Sequence, residues 1–296
     1  MTELGSCYGF GVRSELPLAY LREGRGDPLD VVATEREGHR PGDRRLLHWR
    51  PTAAQGRTAE LWSDGRSFRL RIADAGWFSI EPEARRVEVP AAGGLRTEER
   101  LWGVPALLCF RARGDLPLHA AAVETAGGAV LVAAPGTYGK TTLAAAFHRA
   151  GCRVLSEDTS CVHPGEDAAI VPGPAMLRVR LAVAAQLELP RARRLAEDLD
   201  RVHYALAEPG DCEPVPLRAV VFLDEAEGAP SLDAVERPDA IRDLWALSFR
   251  LPTEEDVSRS FAAVADLAAA VPAFRLRRRL VLDELDEHVA LVLGAL

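Results

Sequence analysis

The stretch Val130-Leu131-Val132-Ala133-Ala134-Pro135-Gly136-Thr137-Tyr138-Gly139-Lys140-Thr141-Thr142-Leu143 narrows the folds open to this chain more than any other. A short apolar run leads into a loop with two glycines, then Lys-Thr-Thr, then an Ala-rich pattern through Arg149. Strand, loop and helix in that order are what a phosphate-binding loop requires, because glycines let successive backbone N–H groups turn toward phosphate oxygens at a helix start. The G-x-x-x-x-G-K-[ST] spacing is kept, with Ala134 at the first glycine position. Pro135, Gly136, Thr137, Tyr138, Gly139, Lys140, Thr141 and Thr142 are therefore the expected nucleotide-binding residues. Lys140 is expected to reach the β/γ-phosphates and Thr141 to offer its hydroxyl to Mg2+. Among 36 lysines and arginines, Lys140 is the only lysine. A chain so biased to arginine keeps a lysine where a compact ammonium fits and a planar guanidinium does not.

At 296 residues there is room for one large domain or two ordinary ones. A net charge of −8 argues against a nucleic-acid partner held on a basic surface. The acid excess is uneven: residues 1–112 are nearly neutral and the rest strongly acidic, which suggests two parts. Cys7, Cys109, Cys152, Cys161 and Cys212 show no metal or redox spacing and read as structural thiols of a reducing compartment. Met1-Thr2-Glu3-Leu4 has no leader pattern. No apolar run approaches the roughly 20 residues of a membrane helix. The expectation is a cytoplasmic protein without a membrane partner.

Residues 1–112 read as a β-rich lobe of short strands, at Gly9–Arg13, Val31–Ala33, Ala59–Trp62, Phe68–Ile72, Gly76–Ile80 and Val87–Val89. Trp49, Trp62 and Trp77 are expected in its core. Leu101–Phe110 reads as one buried helix. Residues 113–296 change texture to α/β. Strands are expected around Ala121–Val123, at the loop strand, and at Arg153–Leu155, Ala169–Val171, Ala219–Leu223 and Ala273–Leu276. Helices are expected at Lys140–Arg149, Ala240–Ser248, Glu254–Ala270 and Leu285–Leu293, and a charged one at Arg191–Asp200.

Phosphoryl transfer needs a cradle, a metal held by hydroxyl and carboxylate, and a group that handles the acceptor. The carboxylates should close a strand beside the loop strand, and Glu157 and Asp158 follow Arg153-Val154-Leu155 directly. Neighbouring acids at a strand end point in different directions, so one can serve the metal and the other the acceptor. Thr141 with Asp158 is the expected metal pair. His119, opening the strand ahead of the loop hairpin, is a further catalytic candidate. Arg178 and Arg180, on one face of a strand after Pro172-Gly173-Pro174, and Arg250 are candidate substrate or phosphate contacts. The Arg275–Arg279 run is by default a solvated face.

Pro117-Leu118-His119-Ala120-Ala121-Ala122-Val123, the loop, and Gly151-Cys152-Arg153-Val154-Leu155-Ser156-Glu157-Asp158 together resemble the catalytic domain of HPr kinase/phosphorylase. They are still more similar to the HPr-kinase-like proteins found beside peptide natural-product genes, including kinases of lasso-peptide precursors. Weaker likeness continues at Gly11–Pro17, Pro172–Pro174 and Ser248–Arg250. The resemblance implies an α/β P-loop kinase fold akin to phosphoenolpyruvate carboxykinase, with His119, Lys140, Thr141, Glu157 and Asp158 in catalytic positions. It implies that the first acid is the general base and that the second lies near metal and histidine. It also implies ATP and Mg2+ as cofactors and a hydroxyl acceptor, either Ser/Thr of a peptide or protein or a small metabolite. A homo-oligomer is compatible with it. Ala134, Thr137-Tyr138 and Glu157 depart from the family pattern, and Tyr138 is placed to cover the phosphates. The glycine-rich signature that HPr kinases carry downstream is missing, so HPr itself is not the expected substrate. The rival expectation is a protein that binds nucleotide without transferring phosphate.

Overall fold

Short strands in which apolar and polar residues alternate make a sheet with one buried face, and the first part of the chain follows that rule. A computed structural model describes residues 2–50, 58–198, 200–207 and 212–296. Eight strands, β1 (Thr2–Cys7), β2 (Phe10–Ser14), β3 (Asp27–Thr34), β4 (Arg44–Trp49), β5 (Ala59–Ser63), β6 (Phe68–Ile72), β7 (Gly76–Glu81) and β8 (Arg86–Pro90), form one sheet. Their order is β1-β2-β3-β8-β7-β6-β5-β4. Val12, Val31, Leu61, Leu70, Phe78, Ile80 and Val87 face a core shared with α1 (Leu95–Leu101) and α2 (Val104–Ala112). The single helix expected over Leu101–Phe110 is thus two. Gly103 leaves helical geometry at φ −86°, ψ −125°, and Pro105 then suits the first turn of α2. Trp49, Trp62 and Trp77 are only half-buried. Trp102, at the break, is the buried tryptophan, 1% exposed.

The second part is layered. Its strands are β9 (Leu116–Leu118), β10 (Ala120–Thr125), β11 (Gly128–Ala133), β12 (Arg153–Ser156), β13 (Ser160–His163), β14 (Ala169–Val171), β15 (Met176–Arg180), β16 (Ala192–Glu197), β17 (Arg201–Leu206), β18 (Val215–Glu225), β19 (Ser231–Ala234) and β20 (Ala273–Arg278). Its helices are α3 (Lys140–Arg149), α4 (Leu181–Ala184), α5 (Arg237–Leu247), α6 (Glu254–Ala270) and α7 (Leu285–Leu293). The main sheet runs β12-β10-β11-β18-β14-β13-β9, with β20 beside β18 and β19 beside β20. β11, β18 and β20 are mutually parallel; their apolar runs suit strands covered on both faces. Ala121, Val123, Val130 and Val132 point toward α3 and α7, while Ala120, Ala122, Leu131 and Val220 point toward α5 and α6. The chain is mixed α/β with several sheets.

A third sheet, β15-β17-β16, stands over the helix α3 side. Its hairpin replaces the charged helix expected at Arg191–Asp200 (Leu199 lies outside the described residues). Asp198 Oδ1 accepts from the N–H groups of Asp200 and Arg201 at 2.9 and 2.8 Å. That aspartate turn reverses the chain, and β16 then pairs with β17. Charge along β16 reflects its exposed face, not helical spacing.

The parts interlock. Buried Arg22 donates from Nε to Gly173 O at 2.7 Å and from Nη2 to Val154 O at 2.7 Å. Tyr8, 1% exposed, donates its hydroxyl to Thr159 O at 2.9 Å. Cys161, Val171, Met176 and Ala205 lie in the same core as the first sheet. The backbone on either side of Glu157 and Asp158 is thereby held from the amino-terminal lobe.

Candidate functional site

The loop follows β11 and ends at Gly139, which caps α3 with φ +78°. The left-handed backbone there favours glycine, and a Cβ would sit 2.9 Å from Arg278 Nη2, so the arginine would have to shift. Ala134 is not in the left-handed region, which removes the steric need for glycine at that position. Thr137 is left-handed at φ +73°. For a side chain with a Cβ this costs about 1–2 kcal/mol. Tyr138 is half-buried against the α3–α7 core. Its side chain is not among those lining the cleft described below.

Lys140 is 6% exposed. Its Nζ donates to Ala134 O at 2.8 Å and Pro135 O at 3.1 Å, and lies 3.0 Å from His119 Nε2. Three acceptors match the three N–H bonds of an ammonium. Burial lowers the lysine's proton affinity, opposed by the charges of Asp158 and Glu157.

His119 sits between β9 and β10, where its N–H bonds Leu247 O. Its Nδ1 is 3.1 Å from the carbonyl of Asp158. A carbonyl only accepts and an ammonium only donates, so the tautomer follows: Nδ1 carries the proton and Nε2 receives Lys140. Burial first, and Lys140 next to it, hold the imidazole below its usual pKa despite the pull of Asp158.

The two acids diverge. Glu157, 2% exposed, accepts the Thr141 hydroxyl at Oε1 (3.0 Å) and Arg178 Nε at Oε2 (2.7 Å). The Asp158 side chain is 48% exposed, 3.5 Å from His119 Nδ1 and 3.6 Å from Arg178 Nη2. Burial works against ionisation of Asp158, but His119, Arg178 and Lys140 outweigh it and hold its carboxyl below the usual range. β12 is not beside the loop strand: β10 lies between them. The acids reach α3 because they lie past the end of β12, facing the helix start.

One cleft of about 910 Å³ joins these groups. Gly136, Thr137, Gly139, Lys140, Thr141 and Thr142 line it together with His119 and Asp158. Arg178, Arg180 and Arg201 line it as well. Leu95, Arg96, Glu99 and Arg100 of α1 supply a further part of its wall. Arg250 is elsewhere: it stacks on Trp245 at 4.0 Å and donates to Trp245 O and Ser248 O. Sequence reasoning missed the α1 wall, Arg201, His203, Arg278 and Leu280 to Leu282, all of which line the cleft. No local motif marks them; they arrive through α1, the β16–β17 hairpin and the end of β20. Among the described residues no cluster of three or more His, Cys, Asp or Glu side chains is placed to hold a metal. Mg2+ bound with nucleotide does not need one, since phosphates and waters supply most of its oxygens. Thr141 offers one more.

No family model matches the chain, and no curated protein matches it. Among solved structures it is similar to an HPr(Ser) kinase/phosphatase from Coxiella burnetii, at 10% identity over 60% of this chain and 95% of that one, with a TM-score of 0.30. This is a distant likeness and assigns no activity. No described helix is long and apolar enough to cross a membrane.

Proposed function

We propose that the chain is an ATP-dependent phosphotransferase that phosphorylates a hydroxyl. The observation that carries this reading is the convergence of Lys140, Thr141, His119 and Asp158 on one cleft, at the start of a helix preceded by a glycine-containing loop. The helix start and loop N–H groups favour phosphate. The Thr141 hydroxyl donates its hydrogen bond to Glu157, which leaves its oxygen lone pairs for Mg2+. The metal, when bound, would neutralise charge on the transferring phosphoryl group. This arrangement replaces the Thr141–Asp158 metal pair with Thr141 backed by Glu157.

Asp158 is then free for the acceptor. It is ionised and half-exposed in the cleft, whereas both oxygens of Glu157 are engaged. We therefore assign proton acceptance from the hydroxyl to Asp158. His119 holds Lys140 and the Asp158 backbone in register. Arg178 bridges the two acids.

The acceptor is a Ser or Thr side chain of a peptide or protein, or a small metabolite; peptide natural-product biosynthesis is one setting. A second reading, binding without transfer, is favoured by the full engagement of Lys140 with Ala134, Pro135 and His119. Incubation with Mg-ATP and a panel of Ser/Thr peptides and hydroxyl metabolites, read by mass spectrometry, separates the two. Transfer to any acceptor establishes the first. Nucleotide binding with neither transfer nor slow ATP hydrolysis leaves the second.

A further inference from the structure

The Arg275–Arg279 run resolves into unlike members. Arg275 pairs with Asp224 and Asp243, Arg277 with Asp233, and Arg279 with Glu284. Arg277 and Arg279 fit the solvated face the sequence suggests, whereas Arg275 is mostly covered and bridged by two aspartates. Arg278 differs on every count. It is 3% exposed. No ion pair joins it to a described carboxylate, and Glu225, its register partner on β18, acts on it only through space. Its Nε has no hydrogen-bond partner. Its Nη2 donates to Tyr138 O at 2.9 Å, inside the loop, and lies against Gly139. Burial lowers its hold on its proton, as expected for a cation without a counter-ion.

A buried guanidinium without a carboxylate is costly unless an anion meets it. Glu225, acting only through space, offsets part of that cost and makes no contact with the guanidinium. His288, fully buried nearby, is pushed toward its neutral form partly by the charge of Arg278 itself. Yet Arg278 opens onto the cleft together with Gly139 and Thr142, where the loop and the start of α3 would receive phosphate. The donor fork suits a phosphate oxygen in direction and charge.

We propose that Arg278 is a phosphate-binding residue of the nucleotide site, its missing counter-ion being a phosphate of the bound nucleotide. This rests on the reading of the loop as a nucleotide site. Arg278 would also make that site responsive: the same guanidinium holds the loop at Tyr138 O, so phosphate and loop share one donor group.

The experiment compares wild type with Arg278→Met and Arg278→Gln by calorimetric titration with Mg-ADP at several salt concentrations, alongside melting temperatures of the free proteins. Arg278→Met removes the charge and all donors. Arg278→Gln removes the charge and keeps an amide able to donate to Tyr138 O. Both variants are expected to lose roughly 10- to 100-fold in affinity, the worth of one charged hydrogen bond. Their affinity should depend less on salt than that of wild type, because one charge contact is gone. Free-protein melting should be unchanged or raised, since an unpaired buried cation has been removed. Wild-type affinity in Arg278→Gln would mean that Arg278 only braces the loop and would overturn the proposal. So would weakened affinity with an unchanged salt dependence. If either variant does not fold, the other carries the test. Wild-type protein that binds neither Mg-ADP nor tripolyphosphate would sink the nucleotide reading itself, whereas equal affinity in all three proteins sinks only the role of Arg278.

Discussion

Lys140 and the acid pair show how much chemistry depends on the shape of single charged groups. The ammonium meets two carbonyls and an imidazole nitrogen within 3.1 Å. A guanidinium presents its donors in one plane and is too long for that cage. Lys140→Arg is therefore expected to abolish tight Mg-nucleotide binding or turnover although the charge is kept; near wild-type activity would remove this explanation of the solitary lysine. The acids should separate in kinetics. Asp158→Asn keeps nucleotide affinity and loses about 10²–10⁴-fold in kcat, the usual worth of a general base. Glu157→Gln loosens Thr141 and Arg178, so it should raise the Mg2+ concentration needed for half-maximal rate. Measuring kcat against Mg2+ for both variants checks the division; the opposite pattern would restore Glu157 as the base. The sequence pointed to both acids as a pair. It did not say which would lie inside, because that depends on Arg178, brought by a strand of another sheet.

At the scale of elements, the parts read well from sequence were those whose pattern is local. α3 and α7 have the bounds their periodicity suggests, and α6 begins at Glu254 with Thr253 accepting from Asp256 N–H as its cap. β18 was plain from its apolar run. The strands that were missed share a cause: β1, β4 and β16 pair with the strands directly after them, but none of the three alternates apolar and polar residues in its own sequence. β16 looked helical by composition until β17 paired with it. α7 also carries a testable cost. His288 lies on its buried face with Leu285, Val289 and Val292; neither ring nitrogen has a hydrogen-bond partner, and Glu284 Oε2 comes only to 3.8 Å of Nε2. Burial, then Arg278, pushes its pKa down to about 4. The unfolded chain binds this proton near pH 6.5, the folded one only near 4, so stability falls as pH drops across that window. The loss is on the order of 3 kcal/mol, with none further below pH 4. His288→Leu should flatten this limb in urea unfolding between pH 7 and 4.5, and add stability at neutral pH. An unchanged acid limb would place the proton elsewhere.

For the whole molecule, residues 1–112 are tied into the rest of the chain by buried hydrogen bonds and a shared core. Arg22 and Tyr8 hold the backbone around the acid pair, and the first core continues through Cys161, Val171 and Met176. A chain cut near Arg113 would expose that core, so truncation is a poor probe of the lobe's role. The α1 wall offers a better one. Arg96 is 54% exposed in its side chain, reaches Asp74 only at 3.7 Å, and lines the cleft. We propose that residues 1–112 contribute acceptor recognition through this wall, while residues 113–296 hold the nucleotide and the transfer chemistry. A surface ion pair of that length contributes little to stability, so Arg96→Ala should fold as well as wild type. It is expected to raise the acceptor KM severalfold while leaving kcat and the affinity for Mg-ADP unchanged, because uniform binding is lost without loss at the reacting atoms. Steady-state kinetics with the acceptor varied at saturating Mg-ATP, together with nucleotide titration, give both numbers. If affinity for Mg-ADP falls as much as affinity for the acceptor, the α1 wall belongs to the nucleotide, and acceptor recognition must be sought along Arg180, Arg201 and the β16–β17 hairpin.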